Sequence, residues 1–170
     1  MQIRSLRSLS MRTAPLLPVL ILSACAPAAE ESDPDLQELR EELTERFTPG
    51  LHTLMVDLGI RHASLWFAGD AENWPLADYM VHELEELVEE IEELHPAYRE
   101  VEVATLLREM THPAVEALEG AVQEEDRTAF AQAYDQLTAA CNACHVASDR
   151  GALVIQRPTT PPLTNLRFSP

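Results

Sequence analysis

Near the end of the chain, Cys141-Asn142-Ala143-Cys144-His145 sets two thiols three residues apart and an imidazole directly after the second. On a helix, positions i and i+3 share a face. Two thiols so placed can each add to a vinyl group of one haem, and the histidine can present a ring nitrogen to its iron. C-x-x-C-H is the attachment motif of c-type haem, with the histidine as proximal ligand. Three other chemistries use parts of the pattern. A thioredoxin-like redox pair wants a βαβ context and opens a helix, whereas these cysteines close one. A structural disulfide between Cys141 and Cys144 leaves His145 unexplained. A zinc site needs a fourth ligand, which only His52, His62, His82, His95 or His112 could supply.

The remaining cysteine, Cys25, stands in a different context. The chain opens with Arg4, Arg7 and Arg12, no acids, and then a short apolar run over 14–22. That is the layout of a secretory signal, too short for a permanent membrane span. Leu22-Ser23-Ala24-Cys25 then resembles the bacterial lipobox. The resemblance implies cleavage after residue 24 and a lipid-modified Cys25 as first mature residue. An ordinary signal cleaved beside Ala24 or Ala26, with Cys25 incidental, is the alternative. Each buried acyl CH₂ contributes about 0.8 kcal/mol to anchoring. Ala26, rather than an aspartate, follows the cysteine, which points to the outer membrane of a Gram-negative cell. The chain therefore divides into a signal (1–24), a small, acidic, proline-punctuated tether (25–33), a folded domain (34–150) and a proline-rich arm (151–170).

The charge fits such a placement. Twelve basic residues, all arginine, face 29 acids, for a formal −17. Without the three arginines of residues 1–24, nine stand against 29, or −20. This balance excludes a nucleic-acid binder, which needs a basic footprint. It also argues against attachment to anionic lipid by charge alone. Five glycines and 5% aromatics argue against a β-sandwich.

The elements that must position the motif read as helices. Leu36, Leu39, Leu43 and Phe47 recur at helical spacing over 34–47, a lead-in helix. After Thr48-Pro49-Gly50, a run over about 49–68 carries Leu51, Leu54, Met55, Leu58, His62, Leu65 and Trp66, with Gly69 as a C-cap. The next helix opens at Asn73-Trp74-Pro75, an asparagine cap with proline in the first turn. Its seam is Leu76, Met80, Leu84, Leu87, Ile91 and Leu94, with seven glutamates between Glu83 and Glu93 on the solvent faces. A third helix over about 100–122 carries Val103, Leu106, Leu107, Met110, Val115, Leu118 and Val122, and Pro113 must kink or split it. The fourth begins near Asp126 and aligns Phe130, Tyr134, Leu137, Cys141 and Cys144. Amphipathic helices with short connections bury their faces most simply as an antiparallel four-helix bundle, so the expected class is all-α. The arm holds Arg157-Pro158-Thr159-Thr160-Pro161-Pro162 and is expected to run extended over the surface.

With C-x-x-C-H on the last of four helices, in Phe130-x₃-Tyr134-x₂-Leu137-x₃-Cys141-x₂-Cys144-His145, the chain resembles the class II c-type cytochromes, the cytochrome c′ family. The resemblance spans about residues 34–150, and only the haem motif in it is specific. It implies one covalent haem c on Cys141 and Cys144, with His145 on the iron. It also implies a distal face covered by the first bundle helix. Low-spin members use a methionine there, and Met55 holds the matching place; members with an apolar residue leave the iron five-coordinate. His62, seven residues on and on the same face, is a second candidate distal ligand, a propionate partner or a hydrogen-bonded core histidine. His52 is a weaker one. Arg61 is a candidate propionate partner, and Trp66 and Trp74 are expected to pack the turn between the first two bundle helices. Two departures mark a divergent subgroup. Asp149 stands where a basic residue is common, and the arm is unusually long.

The function this implies is a lipid-anchored electron carrier facing the periplasm, exchanging electrons with a redox partner of basic surface. The alternatives are a five-coordinate haem protein binding NO or CO, and an acidic non-haem structural lipoprotein. No Ser-His-Asp, metalloprotease or phosphate-loop signature is present, so no enzyme is expected. The resemblance leaves open a homodimer through the first two bundle helices.

Overall fold

The computed structural model describes residues 34–170. The signal, Cys25 and the tether lie outside the described residues. The chain forms two units, 1–41 and 42–170. The first is described over 34–41, where it is helical. The described residues are all-α, as the periodicity predicts: α1 (Pro34–Phe47), α2 (Leu51–Asp70), α3 (Trp74–Leu94), α4 (Val103–Leu106), a π-helical turn (Leu107–Thr111), α5 (His112–Gln123) and α6 (Arg127–Ala147). None of the described helices is long and apolar enough to cross a membrane.

Within the second unit, α2 packs on α3, α3 on α5, α5 on α6, and α6 back on α2, so the pairings close a ring. The core follows the stripes read from periodicity. Leu54 and Leu65 of α2, Met80, Leu84, Leu87 and Ile91 of α3, Val115, Leu118 and Val122 of α5, and Phe130, Tyr134 and Leu137 of α6 are all buried. The glutamates of α3 lie on its outer faces, and Glu83 and Glu92 are among those that reach neighbours. Glu83 takes Arg61 of α2, and Glu92 takes Arg108 at 2.9 Å and His112 at 2.7 Å. Arg61 also bonds Asp57 and the Glu83 carbonyl, so it ties α2 to α3.

One local expectation is met and two change. The third helix is split, one of the two outcomes Pro113 allowed. Proline lacks an N–H, and its ring crowds the carbonyl four residues back. Just before Pro113 the chain accordingly widens into the π-helical turn. Gly69 is not a cap: α2 runs through it, and the left-handed residue is Glu72, at φ 56°. Asn73 N–H donates to Ala68 O (2.9 Å) and Glu72 N–H to Gly69 O (3.0 Å), which closes a Schellman-type end. Gly69 is needed instead for close approach, because a Cβ there would overlap the buried Phe130 ring. Asn73, lastly, opens α3 without a side-chain cap; its amide donates to Phe168 O at 3.0 Å. Asp126 does cap α6, accepting from Thr128 N–H (2.8 Å) and Ala129 N–H (3.0 Å).

The arm has no helix or strand beyond 152 and runs back along the molecule to the opposite end of α2 and α3. Arg157 makes a two-pronged ion pair with Asp135, both contacts 2.7 Å, and lies over the Trp66 ring. Phe168 is buried against Phe67. Trp66 stacks on Phe130, and Trp74 meets the same ring edge-on. Both tryptophans therefore pack the α2–α3 turn onto α6.

Candidate functional site

The last turns of α6 are amphipathic in register with the motif. Asp126 starts the helix, Phe130, Tyr134 and Leu137 bury its stripe, and the same stripe carries Cys141 and Cys144 inward. The helix ends two residues after His145, at Ala147. Asp149 takes a left-handed φ of 56°, Arg150 N–H donates to His145 O at 2.7 Å, and Asp149 N–H to Val146 O at 3.1 Å. This second Schellman-type end leaves the His145 side chain on the last helical turn, where the emerging arm meets it.

Cys141, Cys144 and His145 line a cleft with about 520 Å³ of empty space. The facing wall is α2, through Met55, Leu58, Gly59 and His62; Leu107 and Thr111 of the π-helical turn and Ile155 of the arm complete it. A second cleft of about 680 Å³ shares Met55, Cys144 and His145 and continues past Leu51, His52, Tyr98 and Val103. The three motif side chains and Met55 are thus brought to one place. Gly59 adds to the room: a Cβ there would meet nothing within 4 Å.

The chemistry of the donors can be read from their hydrogen bonds. His145 Nδ1 lies 2.8 Å from Leu153 O. A carbonyl only accepts, so Nδ1 carries a proton, and in the neutral ring the lone pair therefore falls to Nε2, the nitrogen a metal would take. Cys141 and Cys144 are free thiols. Burial pushes Cys141 up to about 11, with the neighbouring Cys144 adding to the effect. Burial raises Cys144 as well, against a lowering contribution from Ser148. Both therefore stay protonated at neutral pH. A dithiol oxidoreductase needs the opposite, a thiol of lowered pKa.

His62 is built differently. It is 5% exposed, and both ring nitrogens are engaged. Thr138 Oγ1 gives its proton to Tyr134 O at 2.9 Å. It can therefore only accept from His62 Nε2, 3.0 Å away. Nδ1 is then an acceptor for the Tyr134 hydroxyl at 2.9 Å, which the His62 carbonyl shares at 3.1 Å. Burial depresses the imidazole to about 4, so it is neutral at pH 7. His62 lines the cleft as the hydrogen-bonded core histidine weighed above, not as a residue with a nitrogen to spare.

The other histidines scatter. His95 Nε2 bonds Pro49 O at 2.8 Å, His112 bonds Glu92, and His82 sits 3.4 Å from Glu86. His52 alone joins Met55 on the second cleft. Among the described residues, no three His, Cys, Asp or Glu side chains converge as a zinc site requires. Arg61, spent on Asp57 and Glu83, is not on either cleft.

Sequence reasoning missed several contributors: Thr111 and Leu107, whose place on the wall depends on the π-helical turn; Gly59, whose empty space shows only in three dimensions; Asn142, inside the motif; and Leu153 and Ile155 of the arm. Pro113 was the available signal for the first two. No known family model matches the chain, and neither a curated protein nor a solved structure matches it.

The residues fit a covalently held haem. Two protonated thiols, an imidazole with its Nε2 lone pair available and a thioether line one apolar cleft, and no side chain at Gly59 fills it.

Proposed function

We propose that the chain is a mono-haem c-type cytochrome, its four long helical stretches an antiparallel bundle, acting as a lipid-anchored electron carrier in a bacterial cell envelope. The observation that carries this reading is the state of His145: Nδ1 is committed to Leu153 O, on a cleft that Cys141, Cys144 and Met55 also line. A haem bound there supplies a one-electron carrier. Cys141 and Cys144 would hold it covalently, His145 would offer Nε2 to its iron, and Met55 would offer a thioether from α2. Leu58, Leu107 and Ile155 keep water from that surface. His62, neutral and satisfied, adds no charge beside it. No substrate chemistry is involved. Cys25 would fix the protein to the membrane on the periplasmic side, and the acidic surface suits a basic redox partner.

One observation favours a second reading, capture of NO or CO at an open iron position: Gly59 leaves space on the wall that Met55 shares. Absorption spectra of oxidised and reduced protein decide between them. A low-spin, six-coordinate spectrum that turns high-spin in Met55→Ala supports the carrier. A high-spin spectrum with rapid CO binding in the unaltered protein replaces it with gas binding. Protein secreted from a strain competent in haem attachment yet carrying no haem leaves an acidic structural lipoprotein.

A further inference from the structure

The bond from His145 Nδ1 reaches eight residues along the chain, to a carbonyl in a segment with no helix or strand. Something must hold that carbonyl in place. Leu153 N–H donates to Arg150 O at 2.8 Å, which closes a turn after α6. The stronger restraint lies just beyond it. Asn142 Nδ2 donates to Ile155 O at 2.9 Å, and Ile155 N–H donates to Asn142 Oδ1 at 2.7 Å. Both ends of one side-chain amide are thus spent on one backbone residue, as a neighbouring strand would be paired. Asn142 lies three residues before His145, on the adjacent turn of the same helix face. The clamp and the imidazole therefore flank Leu153, and Ile155 turns its side chain onto the cleft.

We propose that Asn142 is a positioning residue: by clamping the Ile155 backbone to α6, it holds Leu153 O on His145 Nδ1 and so sets the tautomer and basicity of the iron-facing nitrogen. This rests on the haem reading above. A partner on the far ring nitrogen of a ligating histidine fixes the ring and raises the basicity of the ligating nitrogen. A more basic imidazole favours the ferric state, so the clamp lowers the reduction potential. The arm then belongs to the site, and the motif residue between the cysteines would act on the iron through the three residues Leu153–Ile155.

The test compares haem-loaded, full-length wild type with Asn142→Leu, which removes both clamp bonds at similar volume, and Ile155→Pro, which removes the Ile155 N–H and leaves the motif untouched. Intact mass first establishes covalent haem. NMR then reads the exchange of the His145 Nδ1 proton with solvent, and a redox titration reads the potential. Both variants are expected to retain haem, to exchange that proton at least about tenfold faster, and to shift toward the ferrous state. A tenfold shift of that equilibrium in Asn142→Leu corresponds to about 59 mV more positive for one electron. Haem-loaded variants with unchanged exchange and potential overturn the proposal while leaving the cytochrome reading intact. If Asn142→Leu does not fold, Ile155→Pro decides by the same two readouts. Wild type without covalent haem overturns the underlying reading and this inference with it, and the mass shows that before any potential is measured.

Discussion

Replacing His62 by glutamine should remove one identifiable part of the protein's acid sensitivity. In the folded chain burial holds this imidazole neutral down to a pKa of about 4, against an ordinary value of 6.5. The unfolded chain therefore binds a proton below pH 6.5 that the folded chain refuses until about pH 4. Folding stability falls as pH falls wherever the unfolded state holds more protons. Each pH unit in that window costs about 1.4 kcal/mol, and the window from 6.5 to about 4 thus costs about 3 kcal/mol. The contribution is fully present above pH 6.5 and is lost as pH falls through 4. Carboxylates titrate in the lower part of the same window, so the informative quantity is a difference. Urea unfolding of wild type and His62→Gln, followed by far-UV circular dichroism at half-unit steps from pH 7.5 to 4, isolates it. The wild type should lose about 3 kcal/mol more than the variant between pH 6.5 and 4. Equal losses would show that His62 titrates normally and that the network with Tyr134 and Thr138 is open to water. A larger loss in the variant would reverse the sign and refute the account of a buried neutral imidazole.

Other perturbations follow from the packing and the charge. Gly69→Ala places a Cβ inside the Phe130 ring, which is itself held by Trp66 and Trp74, and should destabilise by about 1–3 kcal/mol in the same urea assay; a change within about 0.5 kcal/mol would mean the ring shifts freely. Asp126→Ala removes both cap bonds at the start of α6 and should cost about 1 kcal/mol, read as a lower thermal midpoint, whereas Asp126→Ser should restore most of it. Electron exchange with a basic partner should slow as salt rises from low to physiological ionic strength, measured by stopped flow; a salt-independent rate would remove the α3 glutamates from the encounter.

Much of the fold was legible because helical periodicity and turn chemistry agree. The α3 seam from Leu76 to Leu94 and the α6 stripe from Phe130 to Cys144 lie where the spacing puts them, half-buried or buried throughout. Asp126 caps as its type predicts. Where local signals competed, the reading failed in instructive ways. Asn73 has a capping side chain but spends it on Phe168 O, 95 residues away, a partner no local rule can supply. Gly69 looks like a terminator, yet the tertiary approach of Phe130 requires it, and Glu72 accepts the left-handed conformation instead. Pro113 announced an irregularity without revealing that it would widen the helix and set Leu107 and Thr111 on the cleft. At the site, spacing alone placed Cys141, Cys144 and His145 together. The gathering of Met55 beside them, and the capture of His62 by Tyr134 and Thr138, depend on how α2 lies against α6.

The central claim is a single haem held by Cys141 and Cys144. Its most direct test is the intact mass of the secreted, mature protein, taken with thiol titration of the denatured chain. The account predicts the mass of the processed polypeptide plus one haem, with neither Cys141 nor Cys144 reacting as a free thiol. The polypeptide mass without haem, with both thiols titrating or joined as a disulfide, would contradict it.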